Sequence, residues 1–287
     1  MKSRQWHRLT FSMPANYQDL LVGQLSLLGM EGFLQEDQTL HCFLPSARWK
    51  KPFEHRLHAS LSRFGKEFPS LNLRYQQSIV KDQNWNRKWE QQAGIVETTD
   101  HICIKPSWAA LRKKDAGKLI LHIDPKMSFG TGHHETTRLT LKLIEPYLQP
   151  EMRVIDFGCG TGVLGIACAK LGAHSVSMID NDPWTKPNVL ENIKRNHVKH
   201  TATFTLGSAS KLPRRRADLI VANIDYRTIT RFLKTLKEHL RTAGIIIFSG
   251  ILVTDIEVLL PVFQAHGLAP LEVLTENEWL ALALVKT

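Results

Sequence analysis

The chain has 287 residues, of which 43% are hydrophobic and 22% charged, enough apolar side chain for a large core and too much for a disordered polymer. Its formal charge of +10 divides as +4 over residues 1–80 (ten basic against six acidic) and +6 over the remainder, so no basic tail accounts for it. The excess suits an anionic partner such as RNA or a ribonucleoprotein surface, and equally a generally basic soluble protein. Cys42, Cys103, Cys159 and Cys168 form no Cys-x-x-Cys pair, the opening residues lead into no apolar targeting segment, and no run approaches the ~18 apolar residues of a membrane span; a cytoplasmic chain is expected.

Trp6 to Met13 predicts a strand closed by Pro14. Tyr17 to Leu28 places Leu20, Leu21, Leu25 and Leu28 on a helix that stops at Gly29. Gly32–Gln35 and Thr39–Leu44 predict two strands of a hairpin, Pro52–Phe64 a second helix and Leu71–Val80 a last strand. The order βαββαβ is the ferredoxin-like pattern. His41, His55 and His58 stand near no nucleophile or metal ligand in sequence, so residues 1–80 are expected to bind rather than to catalyse.

Residues 81–128 read as a linker and entry hairpin. Trp85 and Trp89, four apart, predict one helical face, either a hydrophobic dock or a stacking platform for bases. His101–Lys105 and Leu119–Ile123 are expected to pair across the charged turn Arg112–Asp115. The polar, glycine-rich run Asp124–Arg138 then leads into an amphipathic helix from about Thr136 to Tyr147. Thr136 and Thr137 read either as capping the helix and shaping the loop or as closing on a cofactor, since the segment is placed to fold over the carboxyl ends of the strands that follow. Adjacent His133, His134 and Glu135 lack the helical spacing and further ligands of a metal site, so no metal is expected.

From residue 129 onward the pattern is that of a doubly wound sheet. Val154–Phe157 is an apolar run that breaks into Gly158-Cys159-Gly160-Thr161-Gly162 and resumes at helical spacing: a buried strand, a tight turn and a helix. A second apolar run, Val176–Ile179, ends in Asp180, where a carboxylate can accept the two hydroxyls of a ribose. Asn181-Asp182-Pro183 opens a helix to about Asn196, and Thr203–Leu206 is a short strand. Arg214-Arg215-Arg216 reads as a solvated turn or an RNA contact. Ala217–Asp225 is a buried strand whose polar end, Asn223, emerges at the same edge as the glycine loop. Gly244–Ser249, a helix over Thr254–His266, and the strands Leu271–Leu274 and Trp279–Val285, joined at Asn277, complete the sheet.

A dinucleotide fingerprint wants Gly-x-Gly-x-x-Gly, whereas this loop is Gly-x-Gly-x-Gly and resembles the S-adenosylmethionine loop of class I methyltransferases. Phe129–Arg138, Asp156–Gly162, Val221–Ile224 and Ser249–Leu252 together resemble the PrmA family, bacterial methyltransferases that modify ribosomal protein L-eleven of the large subunit. The resemblance covers the whole chain, though residues 1–80 share it only in pattern. It implies a class I, Rossmann-like, seven-stranded α/β domain over residues 129–287, preceded by the small ferredoxin-like α+β domain as the substrate-recognition part.

Carried over to this sequence, the resemblance puts cofactor contacts on Thr137, Gly158, Gly160, Asp180 and Asn223, with Asn223 also the residue expected to orient the accepting amine. The implied cofactor is S-adenosylmethionine, and the implied partner a large-subunit ribosomal protein, free or on the ribosome; the positive charge suits an added rRNA contact, and no membrane is implied. Asp225-Tyr226-Arg227 departs from the apolar or small residue expected after Asn223-Ile224. The residues alone leave two other readings: an RNA methyltransferase of the same fold, which would want an Asn-Pro-Pro-aromatic turn where Asn223-Ile224-Asp225-Tyr226 stands, and a ribosome-binding protein without turnover.

Overall fold

In the computed structural model, which describes residues 5–71, 73–81, 94–124 and 129–287, the chain divides into two units, Met1–Trp85 and Asn86–Thr287. In the smaller unit, alternation sets the strands. β1 (Gln5–Ser12) turns Leu9 and Phe11 inward, and β3 (Thr39–Pro45) turns in Leu40, Cys42 and Leu44. Helix α1 (Ala15–Leu27) adds Leu21 and Leu25, and α2 (Lys51–Glu67) adds Phe53, Leu57, Leu61 and Phe64 at the spacing of one helical face. With β2 (Gly32–Glu36) and β4 (Tyr75–Lys81) the antiparallel sheet has the order β2-β3-β1-β4, the ferredoxin-like arrangement. The last strand starts at Tyr75 rather than Leu71, because Pro69–Leu71 is spent on a single 3-10 turn.

The larger unit opens with a three-stranded sheet of β5 (Val96–Glu97), β6 (Ile102–Lys105) and β7 (Leu119–His122). The expected hairpin is corrected here: β6 and β7 pair in parallel, Ile102 opposite Leu119 and Lys105 opposite His122. Parallel neighbours need a crossover, and the connection between them supplies it. Its turn is not merely solvated, since Asp115 is fully buried and holds Arg112 at 2.5 Å. The Trp85 and Trp89 expectation lies outside the described residues.

Seven strands form the main sheet: β8 (Arg153–Phe157), β9 (Ser175–Asp180), β10 (Ala202–Leu206), β11 (Ala217–Asn223), β12 (Leu240–Leu252), β13 (Leu268–Glu276) and β14 (Trp279–Lys286). Their order is β10-β9-β8-β11-β12-β14-β13, parallel except for β14, which runs antiparallel to both neighbours. Asn277, at φ 54°, makes the β13–β14 turn expected of it.

Strands buried on both faces read as unbroken apolar runs, and β11 divides its side chains by parity. Leu219 and Val221 join the layer formed with α3 (Glu135–Tyr147), α4 (Val163–Lys170) and α5 (Thr185–Arg195). Ile220 and Ala222 join the layer formed with α6 (Tyr226–Glu238) and α7 (Ile256–Ala265). The strand order reverses between β8 and β11, and in open α/β sheets ligands bind at the carboxyl ends of the strands beside such a reversal.

Candidate active site

At the end of β8 the backbone turns through Gly158 (φ 78°) and Gly160 (φ 52°), conformations that side chains rarely adopt. The amides of Gly158 and Cys159 both donate to the carbonyl of Ile179, at 2.8 and 3.1 Å, which ties the turn to the neighbouring strand β9. A Cβ at Gly158 would strike Ile224 Cγ2, and one at Gly160 would strike the carbonyl oxygen of Phe129. That carbonyl also accepts the Thr161 amide at 2.9 Å, while Thr161 Oγ1 donates to Gly130 O at 2.6 Å. The segment after residue 128 is thus bound to the glycine turn through backbone groups. It packs where a side chain on Gly160 would have to go, so this glycine makes room for protein backbone rather than for open ligand space.

Asp180 ends β9, half-buried. Its Oδ2 accepts the Gly160 amide at 2.8 Å and its Oδ1 the Asp182 amide at 2.9 Å. Each carboxylate oxygen has a second lone pair, so two hydroxyl donors can still be accommodated. Beside it lies a small cleft of about 80 Å³, to which Gly158, Ile179, Asp180, Gly207, Ile224 and Phe232 contribute. Apolar walls with one carboxylate at the rim match the chemistry of a ribose and the edge of a base, and at this size the cleft takes only part of a nucleoside.

Asp156, fully buried below the turn, accepts the Gly165 amide on Oδ2 at 2.8 Å, while Oδ1 has no partner among the described residues. Burial first, opposed by the Gly165 amide and reinforced by the charge of Asp180, raises its pKa from 3.8 to about 7. Burial likewise pushes the Cys159 thiol far up, so this cysteine is a packing residue in the turn rather than a thiolate.

At the end of β11, a directed chain of hydrogen bonds reaches the start of α3 and organises it. The Thr136 amide donates to His134 Nδ1, making that nitrogen an acceptor; the Thr136 hydroxyl, 2.9 Å from the same nitrogen, therefore donates to it. Thr136 Oγ1 is then free to accept from Asn223 Nδ2 at 3.1 Å. His134, not either threonine, caps the helix, and its ring stands edge-on to Phe129 and Trp279. Glu135 accepts from Asn277 at 3.0 Å, and Arg138 bonds Glu276 and the His133 carbonyl, so the histidine-rich run is engaged in joining α3 to the β13–β14 turn.

Of the residues singled out by sequence, Gly158, Gly160 and Asp180 come together in one hydrogen-bonded group, and Ile224 carries the β11 end to the same cleft. Thr137 stands apart. It is fully buried, its Oγ1 has no partner among the described residues, and the residue that meets Asn223 is Thr136. A buried hydroxyl without a partner is a group that a bound ligand can satisfy.

Sequence reading missed Gly207 and Phe232. Gly207 had a signal, for it follows the strand Ala202–Leu206 and so emerges at the same sheet edge; its amide donates to Asp180 O at 2.8 Å. The Asp225-Tyr226-Arg227 departure is a helix start: Asp225 caps α6, accepting Thr228 N at 3.0 Å and Thr228 Oγ1 at 2.6 Å.

Residues 21–287 match the family model described as Ribosomal protein L11 methyltransferase (PrmA). Proteins named ribosomal protein L11 methyltransferase include one from Chlorobaculum tepidum, 32% identical over 99% of this chain and 98% of its own. Another, from Porphyromonas gingivalis, is 33% identical over 92% and 89%. The crystal structure of the ribosomal protein L11 methylase from Lactobacillus delbrueckii subsp. bulgaricus superposes with a TM-score of 0.64 at 27% identity, covering 68% of this chain and 100% of that one. The chain belongs to the ribosomal protein L11 methyltransferase (PrmA) family, and so to the S-adenosylmethionine-dependent methyltransferases.

Proposed function

We propose that this protein transfers methyl groups from S-adenosylmethionine to amine nitrogens of ribosomal protein L11, at lysine side chains, the N-terminal amine or both. The observation that carries the reading is the convergence of Gly158, Asp180 and Ile224 on one cleft, with Asn223 at the adjoining strand end. In this reading Asp180 accepts the ribose hydroxyls, the backbone at Gly158 and Gly160 lies along the cofactor, and the orphaned Thr137 hydroxyl gains its partner on binding. Asn223 is the group that meets the substrate. Because Nδ2 is committed to Thr136, Oδ1 is the atom left to accept an N–H from the incoming amine.

The sulfonium of the bound cofactor supplies an activated methyl group, which leaves the protein the task of alignment. Positioning of this kind supplies ~7–11 kcal/mol of a barrier. An amide cannot take the proton of a protonated lysine, so Asn223 orients an amine that loses its proton to water, a loss favoured where the charged form is poorly solvated. The unit before the junction, residues 1–80, carries substrate recognition, residues 81–128 connect, and residues 129–287 carry the transfer. Ribosomal proteins place the work in the cytoplasm; among the described residues no helix is long and apolar enough to cross a membrane.

The test is to incubate the full chain with labelled S-adenosylmethionine and undermethylated ribosomes or free ribosomal protein L11, separate protein from RNA, and locate the label by mass spectrometry. Label on protein amines is expected. Label in rRNA would favour the RNA methyltransferase reading, and cofactor binding without any transfer would favour a non-catalytic ribosome-binding protein.

A further inference from the structure

The amino edge of the seven-stranded sheet, opposite the cofactor cleft, has a second concavity of about 350 Å³. Its floor is the beginning of three adjacent strands: Arg153 opens β8, Ser175 opens β9 with Ser177 two residues on, and Ala217 opens β11. Its wall is the turn Pro213-Arg214-Arg215. Arg153, Arg214 and Arg215 are exposed, and none of their guanidinium groups is paired with a carboxylate among the described residues. Arg216, next in the turn, is close enough to Lys286 that its charge, after burial, lowers the lysine's pKa. The nearby carboxylate that would neutralise such a cluster, Asp218, is already engaged by Arg241 at 2.6 Å and by the Arg153 amide at 2.6 Å. His174 completes the lining and pairs with Glu151 at 3.2 Å.

Like charges gathered without counter-charges repel one another, and the sheet gains no stability from them. The arrangement is suited to an anion with several oxygens. Guanidinium forks match phosphate geometry, and the serine hydroxyls add hydrogen-bond capacity. The one aromatic ring in the lining, His174, is held by Glu151 at 3.2 Å, and no Phe, Tyr or Trp lines the concavity, so cationic groups rather than stacking platforms dominate it. We infer that this groove binds the phosphate backbone of RNA, with contacts that position the protein and carry no sequence preference. The inference rests on the ribosomal reading above and deepens it: a polyanion held at the amino edge leaves the carboxyl edge open for the cofactor and the substrate amine.

The test measures anisotropy of a labelled single-stranded RNA of mixed sequence with the full-length protein, wild type against Arg214→Glu/Arg215→Glu, over a salt series. Loss of two phosphate contacts should weaken binding at least tenfold and reduce the slope of log affinity against log salt by roughly 1.4, at about 0.7 per contact for single strands. Lys113→Glu/Lys234→Glu, an equal charge change outside the groove, should leave most of the binding intact. Arg214→Gln/Arg215→Gln gives a milder version should the reversed charges impair folding. Equal losses in the groove and control variants, or no loss in either, would overturn the inference. So would saturation of the groove by inorganic phosphate alone at concentrations that leave RNA no advantage, which would make it a small-anion site. Methylation of free ribosomal protein L11 by the groove variants should stay at the wild-type rate. A wild type that fails to methylate that protein defeats the substrate reading, whereas RNA binding is read independently of it.

Discussion

At their carboxyl ends β8, β9 and β11 run into Gly158, Asp180 and Asn223; at their amino ends the same strands begin at Arg153, Ser175 and Ala217, beside Arg214 and Arg215. The first edge is tightly self-engaged. Amides of Gly160 and Asp182 satisfy Asp180, the Phe129 carbonyl holds Thr161, and Thr136 holds Asn223. The second edge is cationic and sparsely partnered. A site that must hold reacting atoms to within fractions of an ångström needs its groups locked before the ligand arrives, while a site that only holds a polyanion needs charge and exposure.

Gly160→Val should break the carboxyl edge most completely. Its Cβ would meet the Phe129 carbonyl, a backbone atom that cannot swing away, in a residue already at φ 52°. Displacing the Phe129 segment moves the start of α3 and with it Thr136, and a misplacement of about 1 Å can cost about 10²-fold in rate. A folded variant with wild-type turnover would show that the Phe129 segment takes no part in the site.

Asp156→Asn sharpens the comparison through pH. Burial raises the folded pKa of Asp156 from 3.8 to about 7, so the folded state keeps a proton that the unfolded chain releases. The associated stability is fully present below about pH 4 and is lost as pH rises through 7. Asparagine does not ionise, so the variant should gain stability relative to wild type between those values, by up to roughly 4 kcal/mol, and level off above. Urea titrations at several pH values read this directly; a constant difference would mean that Asp156 stays charged in the folded protein.

A smaller effect is expected of Asp225→Ala. Removing the cap of α6 should cost about 1 kcal/mol of stability and little cofactor affinity, since Asp225 holds its own helix rather than the cleft. A large loss of affinity instead would give Asp225 a direct part in the site.

Much of the carboxyl edge was legible in the sequence, because its determinants are local. The glycine turn follows one apolar run, Asp180 ends the next, and strands buried on both faces appear as unbroken apolar stretches. What escaped depends on contacts far apart in sequence. Nothing in the alternation of Ile102–Lys105 and Leu119–His122 gives strand direction, and the parallel pairing follows from a crossover anchored by buried Asp115. The partners of His134 and of Gly160, Trp279 and Phe129, are fixed only by packing. Arg214–Arg216 was visible as a charge run, but the concavity it borders exists only once the starts of β8 and β9 are brought beside it.

The separation of the two edges is tested most directly by calorimetric titration of S-adenosylmethionine into the wild type, Asp180→Ala and Arg214→Glu/Arg215→Glu. Hydrogen bonds to a charged group contribute ~1.5–3 kcal/mol, so Asp180→Ala should weaken the cofactor by roughly 10- to 150-fold while the groove variant binds as the wild type does. Unchanged affinity in Asp180→Ala, or a comparable loss in the groove variant, would contradict the division of the sheet into a cofactor edge and an RNA edge.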